Sequence, residues 1–171
     1  MAATRRFADP VLGAGVGLAG AYAVYPWCGH QFTDPRVGAT KVRSIIGELD
    51  QWCSVQEVQG HTQAIRASGG DAKVRVVPNA HHSFDRLISV ETIADAAVAP
   101  EAPTVFLAHD GAMIDPRIGT PDPQLTDRDL FIASMKAGFG RTGAAIGSTE
   151  GQPEVFNDDM LGFHDSVFRR A

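Results

Sequence analysis

Apolar positions recur along this chain at two spacings, and the change from one to the other marks out its elements. Residues 20–25, Gly-Ala-Tyr-Ala-Val-Tyr, form a compact apolar run stopped by Pro26, which predicts a short buried strand. A second run at 41–46, Lys-Val-Arg-Ser-Ile-Ile, predicts another and ends at Gly47-Glu48-Leu49-Asp50. From Ser54 to Ser68 the apolar residues Val55, Val58, Ala64, Ile65 and Ala67 fall at helical spacing. Ser54 and Glu57 make a capping-box signature at the start of that helix, and Gly69-Gly70 stops it. Ala72 to Val77 is a third strand, broken by Pro78.

The pattern weakens after Phe84. Ile88 to Val98 reads as a short helix and Pro103 to Ala108 as a fourth strand. Residues 110–124, rich in Gly, Pro and Asp, read as a long loop. Asp127 to Ala137 reads as a helix with Thr126 as N-cap. Phe156 to Arg170 reads as a final helix: Asn157 caps it, Asp158 and Asp159 suit its positive end, and Arg169 and Arg170 its negative end.

Strand, helix, strand over 41–77 is a βαβ crossover, which sets its two strands parallel and ends them on one edge of the sheet. The class is therefore α/β, a mainly parallel sheet flanked by helices, with chemistry expected at the carboxyl ends of the strands.

Composition limits what this fold can serve. Of 171 residues, 44% are hydrophobic and 20% charged, which excludes a disordered tail. Fifteen Lys and Arg face twenty Asp and Glu, with thirteen of the acidic residues after residue 85. No basic stripe is present, and nucleic-acid binding needs one. Residues 10–33 carry no Asp, Glu, Lys or Arg and follow Arg5-Arg6, as in an export signal. Asp9, Pro10 and glycines at 13, 15, 17 and 20 break that pattern. The expectation is a cytoplasmic chain with no membrane partner, export being the alternative.

Asp50 follows one strand of the crossover, and His82 lies four residues beyond the Pro78 that ends the other. An Asp accepting from a His ring N–H fixes the tautomer, which leaves the second ring nitrogen free as a general base. The plainer alternative is a turn aspartate and a surface histidine.

The words around these residues are more specific. Ile45-Ile46-Gly47-Glu48-Leu49-Asp50-Gln51-Trp52 and Val77-Pro78-Asn79-Ala80-His81-His82-Ser83-Phe84-Asp85 resemble the dienelactone hydrolase family of α/β-hydrolases. Tyr25-Pro26-Trp27-Cys28 is similar to the strand end that precedes the acid in that family. The likeness runs from Ala3 to His82 and continues loosely to Phe163–Phe168. It implies a hydrolase of carboxylic esters, thioesters or lactones that needs no cofactor, with Asp50 as triad acid and His82 as base. His81 departs from the family pattern, since a small or aromatic residue is usual there.

The larger departure is the nucleophile. The family's Ser or Cys sits in a G-x-[SC]-x-G elbow ahead of the acid, and no such word occurs here. Gly147-Ser148-Thr149-Glu150-Gly151 has the wrong spacing and follows the histidine. Ser83 adjoins His82 too closely to meet its free nitrogen. The resemblance makes residues 1–171 a single partial domain, the C-terminal part of an α/β-hydrolase fold. Residues 1–86 would carry the core strands with acid and base, 87–155 a loop-rich insertion, and 156–170 the last helix. The strand at 20–25 would then lack its neighbour, inviting self-association through an open edge. Such a chain is expected to be inactive alone.

Trp27 and Trp52 flank the proposed active edge and are expected to line a substrate pocket. Cys28 and Cys53 read as two buried thiols, or as one disulfide if their strands are neighbours. His30, His61 and His164 read as surface residues. Gly138-x-Gly140-x-x-Gly143 lacks the strand-to-helix setting of a dinucleotide site. No metal site is expected, though His81, His82 and His109 make the one metal alternative. The other rival is a catalytically inactive α/β binding or interaction module.

Overall fold

Adjacent isoleucines divide the sheet into two faces. In the computed structural model, which describes residues 3–168, the order is α1 (Arg5–Leu12), β1 (Gly20–Val24), β2 (His30–Phe32), β3 (Lys41–Gly47), α2 (Val55–Ala67), β4 (Ala72–Val77), β5 (Glu91–Val98), β6 (Val105–Leu107), β7 (Met113–Ile114), β8 (Pro121–Asp122), α3 (Asp127–Lys136), β9 (Arg141–Ile146) and α4 (Gln152–Phe168). Strands β1, β3 and β4 make a parallel sheet with β3 in the middle. Side chains alternate across a strand, so Ile45 and Ile46 of β3 point to opposite faces. Both are fully buried. Ile46 packs with Cys28, Cys53 and Val58 on the α2 side. Ile45 packs with Val77, Ala80 and Phe84, against Val155 and Phe156 of α4. Burying each contributes about 1.5–3 kcal/mol.

Helix α2 keeps half of its expected capping box: the Ser54 hydroxyl accepts from the Glu57 N–H at 3.3 Å, but the Glu57 carboxylate does not return to the Ser54 N–H. Helix α3 has the full reciprocal box, with the Thr126 hydroxyl and the Asp129 carboxylate each accepting from the other's backbone N–H.

Helix α4 starts at Gln152, four residues before its expected start. Asn157 therefore lies inside it and caps nothing. Gln152 anchors the new start, accepting from the Thr149 N–H and donating to the Asn79 carbonyl. Arg169 and Arg170 lie outside the described residues. Asp159 does not serve the helix dipole. It turns inward, accepts from Tyr22 and Arg75, each at 3.0 Å, and binds Arg43 through two nitrogens. One carboxylate thus ties α4 to β1, β3 and β4. Burial pushes its pKa up, but the two guanidiniums outweigh that and hold it below the ordinary carboxylate value.

The second half departs most from expectation. Residues 91–98 are strand β5, not helix, paired antiparallel with β9 from Glu91↔Ile146 to Val98↔Arg141. Alanine-rich as it is, this stretch finds a partner strand some fifty residues on, and pairing overrides local helix preference. Short strands β7 and β8 occupy the expected loop and form a meander with β6, which also pairs parallel with β2. Residues 87–155 thus carry strands β5 to β9 and helix α3 between their loops. The chain is a mixed α/β structure with parallel, mixed and antiparallel sheets. No helix among the described residues is long and apolar enough to cross a membrane.

Replacing Asp159 with Asn leaves two guanidiniums around a group without charge. Urea unfolding at neutral pH should show a loss of about 3 kcal/mol, between the values for exposed and fully buried pairs. Because the folded carboxylate has the lower pKa, its contribution is present above about pH 4 and fades as pH falls through the folded value. The variant's deficit should shrink over that range.

Candidate active site

Gly47 is the residue that lets the two site loops meet. A Cβ there would collide with the Ala80 carbonyl and the His81 carbonyl. With glycine in place the loops after β3 and β4 zip together. The Glu48 N–H donates to Val77 O at 2.9 Å and the Leu49 N–H to Ala80 O at 2.8 Å. The Asn79 N–H donates to the Glu48 carboxylate at 3.0 Å.

This zipper brings Asp50 to His82. His82 Nδ1 lies 2.9 Å from Asp50 Oδ2. The other Asp50 oxygen, Oδ1, accepts from the Trp52 N–H at 2.8 Å and the Cys53 N–H at 2.9 Å. The Asp50 carboxylate is completely buried, while the His82 side chain is 20% exposed. The ring sits between two aromatics, Tyr25 at 4.3 Å and Trp52 at 5.7 Å between centroids. Nε2 makes no hydrogen bond among the described residues. A carboxylate acceptor at that distance favours a proton on Nδ1, which leaves Nε2 as the unbonded ring nitrogen.

Tyr25 is the site residue whose role the sequence did not reveal. It has φ +33°, outside the range comfortable for a side chain. Its N–H donates to Ile45 O at 2.6 Å and its hydroxyl to Asp85 Oδ1 at 2.7 Å. Burial, then the Asp85 bond, pushes that hydroxyl up to about 12.

The β5–β9 ribbon closes over the site. Trp52 Nε1 donates to Ala145 O at 3.0 Å, and the Ala145 N–H donates to the Gln51 amide at 2.8 Å. The Gly147 N–H donates to His82 O at 2.8 Å.

Trp52 therefore stands where expected, against the base. Trp27 does not. It is half exposed and packs edge-on against His30 at 6.5 Å. The two cavities it lines are walled by residues other than Asp50, His82 and Trp52. Cys28 and Cys53 are neighbours in one core cluster, but both are free thiols and no disulfide joins them. Burial pushes each up to about 12. His30 and His61 are largely buried rather than surface residues. His30 pairs with Asp127, and His61 with Gln31. His81, His82 and His109 do not converge. Instead Asp50, Cys53 and His82 each offer one ligating atom, all within 4.8 Å of one another.

Comparison with protein-family models, curated proteins and solved structures found no match.

Gly47→Ala should force the two loops apart. We expect about 1–3 kcal/mol of destabilisation by denaturant unfolding. Trp52 fluorescence should shift, because the indole loses its packing on His82.

Proposed function

We propose that Asp50 and His82 are the acid and base of a dienelactone hydrolase-like enzyme acting on an ester, thioester or lactone. The observation that carries this reading is the 2.9 Å Nδ1–Oδ2 contact on a fully buried carboxylate, with Nε2 left unbonded. In this reading the parallel sheet is the C-terminal part of an α/β-hydrolase sheet. Strand β1, paired only with β3 among the described residues, keeps its other edge for the strand that carries the nucleophile. Without that strand, the same edge promotes self-association.

The chemistry follows the acyl-transfer pattern. A Ser or Cys outside residues 1–171 attacks the substrate carbonyl as His82 Nε2 takes its proton. Asp50 holds the resulting imidazolium through Nδ1–H. His82 returns the proton to the leaving group, then activates water to release the acyl group. Trp52 and Tyr25 keep the ring from rotating. No cofactor enters, and the substrate is a small molecule.

A second reading rests on the Asp50, Cys53 and His82 cluster, which has the ligand types of a zinc site. Two features favour the first. Asp50 and His82 Nδ1 are already bonded to each other, and burial opposes the Cys53 thiolate that a metal would need. Stoichiometric metal in purified protein, lost in Cys53→Ala, would reverse that preference.

The direct experiment extends the chain with the residues encoded upstream of Met1. The extension should contain a G-x-[SC]-x-G word and hydrolyse p-nitrophenyl esters. Asp50→Asn should lower its kcat by about 10⁴, as when the orienting acid is lost elsewhere. His82→Ala should abolish that hydrolysis, and the 171-residue chain alone should show no His82-dependent turnover. An extension without that word, or turnover indifferent to His82→Ala, would refute the proposal.

A further inference from the structure

A second cavity lies beside the first turn of α2, apart from the Asp50–His82 pair. It measures about 420 Å³, within the range of small-molecule sites. Trp27, Val105, Leu130 and Phe131 supply apolar wall, and Trp27 and Phe131 are exposed at its rim. Its ionisable groups are Glu57, His30 and Asp127, and no lysine or arginine lines it.

Glu57 sets the chemistry. Its Oε2 is buried and has no hydrogen-bond partner. An unserved buried acceptor costs about 1–3 kcal/mol. The first turn of a helix favours a negative charge. Burial nevertheless wins here, pushing Glu57 up to about 7. The neighbouring groups offer no relief. His30 Nε2 is held by Asp127 Oδ1 at 2.9 Å, and burial keeps the Cys28 thiol protonated.

The missing element is a donor, and the two carboxylates favour a positive one. We propose that this cavity is a second small-molecule site, selective for a primary ammonium group carried on a short aromatic or alkyl body. The ammonium pairs with the Glu57 carboxylate where it lines the cavity. The apolar body lies against Leu130, Phe131 and Trp27. A carboxylate ligand of the same shape is repelled, and an alcohol supplies a donor without charge.

Calorimetric titration of the full chain with phenethylamine, at about pH 8 so that Glu57 is ionised, tests the proposal. One site is expected, binding phenethylamine about tenfold more tightly than 2-phenylethanol, the margin of a charge-assisted bond over a neutral one. Glu57→Gln should remove that preference. It keeps the Ser54 cap, which uses the Glu57 backbone N–H. His82→Ala should leave amine binding unchanged, which separates this site from the proposed catalytic pair. Should Glu57→Gln fail to fold, Phe131→Ala at the exposed rim decides: weakened amine binding supports the site. Equal affinity for amine and alcohol, unchanged binding in Glu57→Gln or in a Phe131→Ala variant standing in for it, loss of binding in His82→Ala, or no binding at all would overturn it.

Discussion

The Asp50 carboxylate accepts three hydrogen bonds in a fully buried position, and the organisation of the strand ends depends on it. Two of its donors are backbone N–H groups of the turn before α2, so the carboxylate fixes how the chain passes from β3 into the helix. The third is His82, delivered from beyond β4. A buried carboxylate without these donors would cost several kcal/mol. The bonds to Asp50 are therefore structural and chemical at once: the same contacts that make its burial tolerable orient the imidazole. Gly47 permits the arrangement by letting the Ala80 carbonyl approach the end of β3.

The face of the sheet beneath α4 has its own constraint. Asp159 draws Arg43, Arg75 and Tyr22 onto one helix, so α4 covers the face bearing Ile45 while α2 covers the face bearing Ile46. Parallel strands need both faces covered. With the sheet fixed from both sides, the loops at its carboxyl edge have a rigid base. The β5–β9 ribbon completes the site, since it bonds both Gln51 and Trp52 and also the backbone of His82. The segment that looked like an insertion is thus what encloses the dyad.

The parts of the chain that were legible in sequence are those whose determinants are local. Pro26, Pro78 and Gly69-Gly70 end their elements where expected, and Ser54 and Thr126 cap the helices they precede. Asp50 and His82 could be paired because a βαβ crossover places successive strand ends together. What could not be read was set by distant partners. Residues 91–98 are strand because β9 pairs with them. Asp159 is buried because Arg43 and Arg75 reach it from two strands. Trp27 lies one residue past the same Pro26 that was read correctly, yet it turns toward His30 rather than His82. Tyr25 gave a weak signal, an aromatic at a strand end directly before proline. Its φ and its tilted ring contact with His82 emerge only from the packed structure.

Asp50, as the acceptor at Nδ1, should hold the His82 proton there and leave Nε2 as the basic nitrogen. Long-range ¹H–¹⁵N correlation of the His82 ring at alkaline pH reads that tautomer directly. A protonated Nδ1 and an unprotonated Nε2 are expected, with the preference lost in Asp50→Asn. A proton on Nε2 with Nδ1 bare, or a tautomer ratio that ignores Asp50→Asn, would contradict a role for Asp50 in orienting His82.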